Sequence, residues 1–124
     1  MKFNKLIPEL MVKDIEKSLE FYKNIGFNVD YSREKFVFLS YQGSQIMLEQ
    51  NEDWKTAELE YPYGRGINFQ IEANVDEVLS KLKDYPLFRE LEENSYEVKG
   101  IQMKCKEFLV QDPDGYLLRF SEDV

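Results

Sequence analysis

Apolar and polar residues alternate from residue 6 to residue 12. Pro8, Leu10 and Val12 fall on one face and Ile7, Glu9 and Met11 on the other, the period of a strand. Asp14 stands where a helix N-cap belongs. Ile15, Leu19, Tyr22 and Ile25 follow at helical spacing, and Gly26 closes the helix. Three apolar runs come next, at residues 27–31, 36–41 and 45–50, the last two joined by the tight-turn pair Gln42-Gly43. The order is β-α-β-β-β.

The same order returns roughly 60 residues later, where Ile67, Phe69 and Ile71 alternate along a strand. Asn74 with Glu77 three residues on predicts a helix start. Val75, Val78, Leu79, Leu82 and Tyr85 line one helical face until Pro86 stops it. Strands are predicted at 90–97, 106–111 and 116–121, with Asp112-Pro113-Asp114-Gly115 as the last turn. A polar and aromatic linker at 51–65 separates the halves. The pattern predicts one α+β domain over 1–124, built from two tandem βαβββ modules at about 4–51 and 65–124.

Composition narrows the chemistry. The 124 residues carry 24 acidic and 16 basic side chains, a net charge of −8, no histidine and one cysteine. Histidine-based catalysis and imidazole metal ligation are excluded, and a nucleic-acid partner is disfavoured by the charge. Cys105 has no intramolecular disulfide partner and fits a reducing compartment. No segment reads as a signal peptide or a membrane span, so the expected location is cytoplasmic.

The opening Ile7-Pro8-Glu9-Leu10-Met11-Val12-Lys13-Asp14, the stretch Ser18-Leu19-Glu20-Phe21-Tyr22 with Ile25-Gly26-Phe27, the middle residues 64–72, and the closing residues 108–120 together resemble the vicinal oxygen chelate superfamily. The middle stretch looks like bacterial members labelled glyoxalase/bleomycin resistance proteins. This resemblance implies curved mixed sheets forming a cup, and homodimers with cups at the subunit interface. It also implies four metal-ligand positions, which here are Ile7, Glu49, Gly66 and Arg119. Only Glu49 among these can ligate a cation, so neither a metal nor another cofactor is expected.

Pairing the hairpin around Gln42-Gly43 sets Val37, Leu39, Tyr41, Ile46 and Leu48 beneath the helix. Phe36, Phe38, Ser40, Gln45, Met47 and Glu49 take the opposite, concave face. Asn68, Gln70, Phe108 and Arg119 are expected to face inward on the second module. Glu9, Tyr31, Trp54 and Tyr63 complete the candidate ligand-binding set, with Tyr31 and Phe36 at positions resembling stacking residues and Trp54 and Tyr63 in the linker. Arg119 is expected either to pair with Glu49 or to meet an anionic group of the ligand.

The expected function is metal-independent sequestration of a planar small molecule, with a cationic, antibiotic-like compound favoured by the acidic surface. Well-characterised bleomycin binders carry a tryptophan where this chain has Lys104, which removes one stacking plane. The competing reading is a metal-free isomerase or lyase with Glu49 as base and Arg119 stabilising an oxyanion. A third is an interaction module whose dimer surface matters more than its cup. Single residues carry two readings as well. Glu9 and Glu49 read as a proton-transfer pair or as solvated lining charges, Phe36 and Phe38 as pocket or core, and Trp54 and the linker tyrosines as rim or dimer contacts.

Overall fold

The computed structural model describes residues 2–51 and 59–124, and divides the chain into two compact units, Met1–Tyr63 and Gly64–Val124. The first unit runs β1 (Glu9–Met11), α1 (Ile15–Ile25), β2 (Asn28–Arg33), β3 (Phe36–Tyr41) and β4 (Ser44–Glu49). Its sheet has the order β1-β4-β3-β2, with β1 parallel to β4 and the other pairs antiparallel. The second unit runs β5 (Asn68–Glu72), α2 (Val75–Lys81), β6 (Leu87–Val98), β7 (Ile101–Gln111) and β8 (Leu117–Asp123). Its sheet repeats the plan as β5-β8-β7-β6. The fold is α+β, two tandem βαβββ modules. Among the described residues, no helix is long and apolar enough to cross a membrane.

Local chemistry sets the first unit. The Asp14 carboxylate accepts from the backbone N–H groups of Glu16 and Lys17, and Gly26 at φ 125 ends α1 with its N–H on Lys23 and Tyr22. The helix buries Ser18, Phe21, Tyr22 and Ile25. On the sheet, Leu10, Val12, Val37, Leu39, Tyr41, Ile46 and Leu48 are buried with them. Each large apolar side chain placed there contributes on the order of 1.5–3 kcal/mol. Gln42 and Gly43, at φ 45 and 90, make the left-handed turn that joins β3 to β4 in the expected register.

Four boundaries differ from the expectation. β1 is cut to Glu9–Met11: Leu6 is 86% exposed, and Pro8 has no N–H for the ladder although its carbonyl accepts from Met47. Strand β2 continues past Tyr31 to Arg33, with a register shift between Val29 and Tyr31. Helix α2 ends at Lys81 with Leu82 as its cap, and Tyr85 lies beyond it, donating its hydroxyl to the Gln111 carbonyl at 2.8 Å. Strands β6 and β7 form a longer hairpin than the 90–97 and 106–111 runs suggest, because both faces of β6 are mostly exposed and carry no alternation.

The final turn forms as expected. Asp112 is buried, and its carboxylate accepts from the N–H groups of Asp114 and Tyr116, both at 2.9 Å. The backbone N–H of Asp112 also meets the Tyr116 carbonyl at 2.8 Å, which fixes the register of β7 on β8.

Candidate functional site

Two rows of side chains cross the face of the first sheet turned away from α1. Glu9, Met47, Phe38 and Tyr31 are neighbours on successive strands and form one row; Met11, Glu49, Phe36 and Arg33 form the next. Six residues expected at the site from the sequence, Glu9, Tyr31, Phe36, Phe38, Met47 and Glu49, therefore lie on one face. A cavity of about 360 Å³ opens on it, lined by Phe3, Ile7, Tyr31, Arg33, Phe36, Phe38 and Met47. Its size is that of a small-molecule pocket, and its wall is aromatic and aliphatic with one guanidinium.

The pocket has a built wall on its N-terminal side. The Phe3 ring meets Phe38 edge-on at 5.3 Å, leaving Phe38 only 2% exposed. Asn4 holds this segment in place, its N–H on the Gln45 side-chain oxygen at 2.6 Å and its side-chain amide on the Gly43 carbonyl at 2.9 Å. The Gln45 amide returns a hydrogen bond to the Lys2 carbonyl at 2.6 Å. On the other side, Tyr31 and Phe36 stand with ring centres 6.2 Å apart. The Arg33 guanidinium carbon lies 4.3 Å from the Phe36 ring centre and 5.9 Å from that of Tyr31.

The two acids are coupled. Glu9 is an exposed residue overall, yet partial burial of its carboxyl holds its pKa above the usual carboxylate value. The charge of Glu49 and a hydrogen bond to it push the same way, and Arg33 opposes them weakly. Glu49 also accepts from the Asn51 amide at 3.5 Å. Neither acid forms an ion pair among the described residues.

The second unit departs from the expectation at one residue. In the register of β7 and β8, Phe108 is opposite Phe120 while Leu109 is opposite Arg119, so Phe108 and Arg119 lie on opposite faces. Phe108 is fully buried and stacks on Phe120 at 5.5 Å between ring centres. It is a core residue on the face that also buries Val110 and Leu118, and its assignment to the ligand-facing side is corrected here. The reason is the Asp112–Tyr116 turn, which pairs residues of equal parity. Asn68 and Gln70 do share the Arg119 face, with Gln70 directly beside Arg119. Arg119 is half-buried, and its Nε makes no hydrogen bond among the described residues. Tyr63 is half-buried, Lys104 is exposed on β7, and Trp54 lies outside the described residues.

Sequence reasoning missed Phe3 and Arg33, and gave Ile7 only as a metal position. Arg33 was within reach, since it stands two residues after Tyr31 and so shares its face if the strand continues. Nothing periodic marks Phe3. Of the positions expected to ligate a metal, Ile7 lines the pocket as an aliphatic wall, and only Glu49 offers a ligating atom, so the donor set does not fit a metal ion. Among the described residues, no group of three metal-ligating side chains gathers.

A sequence model of the Glyoxalase/Bleomycin resistance protein/Dioxygenase superfamily matches residues 6–120. A superfamily member from Vibrio splendidus is 34% identical over 94% of this chain and 95% of its own, with a TM-score of 0.45. A glyoxalase/bleomycin resistance protein/dioxygenase from Alicyclobacillus acidocaldarius has a TM-score of 0.67 at 18% identity, covering 97% of this chain and 91% of that one. A bleomycin-binding protein complexed with bleomycin gives 0.62 at 16% identity, covering 98% of this chain and 100% of that one. Among curated proteins, no sequence match is found.

Proposed function

The chain belongs to the glyoxalase/bleomycin resistance protein/dioxygenase superfamily, and on that premise we propose that it is a metal-independent binding protein. It sequesters a planar, cationic, antibiotic-like ligand against the aromatic face of its first unit. The cavity floored by Phe36, Phe38 and Met47 carries this reading. Tyr31 and Phe36 supply ring surface, and Glu49 and Glu9 supply negative charge alongside. The net charge of −8 draws cations towards the molecule. The likeness to a bleomycin-binding protein supports the same class of function. The proposal takes the working form as a cytoplasmic homodimer, and keeps Tyr63 as a further ligand contact.

The test is a calorimetric titration with metal-free bleomycin and with small planar cations, chelator present throughout. Saturable binding that weakens at least about tenfold in Phe36→Ala supports the reading. Unchanged affinity in both Phe36→Ala and Glu49→Ala overturns the site assignment.

The closeness of Glu9 and Glu49 on one face favours one second reading, a metal-free isomerase or lyase. Glu49 would act as the base there, beside a Glu9 carboxyl whose proton is held above the usual carboxylate range. Turnover that survives chelator and disappears in Glu49→Gln establishes that reading over binding alone.

A further inference from the structure

The cavity contains a cation of its own. Among the described residues lining it, Arg33 is the charged one, and its guanidinium sits over Phe36 at 4.3 Å. Arg33 and Phe36 flank the two-residue turn Glu34–Lys35 and are direct cross-strand neighbours, so the arginine reaches the ring without crossing the sheet. Glu49 neighbours Phe36 on its other side, and Glu9 stands one row away. Arg33 forms no ion pair with either acid among the described residues, and it is exposed on an edge strand that is exposed throughout.

We propose that Arg33 is a resident stand-in for the ligand's positive group, occupying the seat over Phe36 that a planar cation takes by displacing it into solvent. This rests on the binding reading above and deepens it by naming the cation's seat and its competitor. An anionic ligand is the poorer fit: paired with Arg33, it would sit beside Glu49, with Glu9 one row away, in a chain of net charge −8. A cation in the same place gains the Phe36 ring and the neighbouring Glu49 carboxylate together. Displacement is cheap, because an exposed arginine–aromatic contact is weak and the freed side chain regains water and rotamer freedom. Arg33 therefore sets a threshold that selects ligands whose cation is joined to a flat ring system over one offering charge alone.

The test compares three isosteric probes, N-methylacridinium, neutral acridine at mildly alkaline pH, and acridine-9-carboxylate, on the wild type and Arg33→Ala. The expected result is tighter binding of the acridinium to Arg33→Ala, by about two- to fivefold, with acridine little changed. In the wild type, the Arg33 Nε–H resonance moves from its ring-shifted position towards that of a solvated arginine as the acridinium saturates. Acridinium affinity that is unchanged or weaker in Arg33→Ala overturns the displacement but leaves the binding reading standing. Carboxylate binding lost in Arg33→Ala also overturns it, by making Arg33 an anion anchor. No binding of any probe to either protein overturns the binding reading, and this inference with it.

Discussion

Glu9 and Glu49 stand on adjacent strands on the face of the first sheet that carries Phe36 and Phe38, and the Glu9 carboxyl keeps its proton to a higher pH than an isolated one would. Burial of the Glu9 carboxyl is the larger cause and the neighbouring charge the next. The folded-state pKa of Glu9 is raised above its unfolded value, so its contribution to stability is complete below the unfolded value and is lost as pH rises through the folded one. In urea titrations the Glu9 contribution is therefore expected to make stability decline as pH climbs above the usual carboxylate value. In Glu9→Gln that decline is expected to be smaller. Equal slopes in the two proteins contradict the coupling.

Under the binding proposal, a planar cation is expected to bind more tightly as pH rises through the Glu9 transition, because the Glu9 carboxyl gains its charge there. Calorimetry across that interval checks this, and affinity that falls with rising pH contradicts it.

Phe36 and Phe108 are expected to part company on mutation. Phe108→Ala removes a fully buried ring stacked on Phe120 and is expected to cost about 3–5 kcal/mol of stability. Its acridinium affinity, measured where the variant is folded, is expected to match the wild type. Phe36→Ala is expected to weaken binding by about tenfold or more. Thermal unfolding and titration of both variants check the contrast.

The N-terminal wall depends on Asn4. Asn4→Ala removes the bond to the Gly43 carbonyl, and Gln45→Ala removes those to the Asn4 N–H and the Lys2 carbonyl. Each change is expected to cost about 0.5–1.5 kcal/mol or less at this exposed location. Hydrogen exchange at the Asn4 amide is expected to quicken in Gln45→Ala, while exchange in α1 stays as it was.

How far the sequence reveals this arrangement depends on where a turn fixes the pairing. The apolar runs at 36–41 and 45–50 meet at a Gln42-Gly43 turn, so their register, and with it the shared face of Phe36, Phe38, Met47 and Glu49, follows from the chain alone. The duplication makes the second unit's order legible too. Phe108 was misplaced because faces on either side of the 112–115 turn depend on which residues the turn pairs, and the Asp112–Tyr116 bond reverses the parity assumed for Arg119. Arg33 was hidden because the apolar run ends at Tyr31, while the strand continues through the polar Ser32 and Arg33. Phe3 reaches the pocket through Asn4 and Gln45, polar contacts that no hydropathy pattern encodes.

Divalent metal is expected to leave the protein unmoved. With Ile7, Gly66 and Arg119 at three of the four positions that the resemblance implies for ligands, only Glu49 offers an oxygen. Zinc, nickel or magnesium at modest excess, or a chelator, is expected to shift the melting temperature by less than about 1 °C. A larger stabilisation by one of these ions would reveal ligands other than these four.

The most direct test of the central claim follows the Ile7 and Met47 methyl resonances during an N-methylacridinium titration with chelator present. Both methyls line the cavity, and a ring system seated there is expected to shift them saturably and in parallel. The Val110 methyls, buried in the core of the second unit, are expected to stay in place. Saturation that leaves Ile7 and Met47 unmoved, or no shift anywhere, contradicts the account.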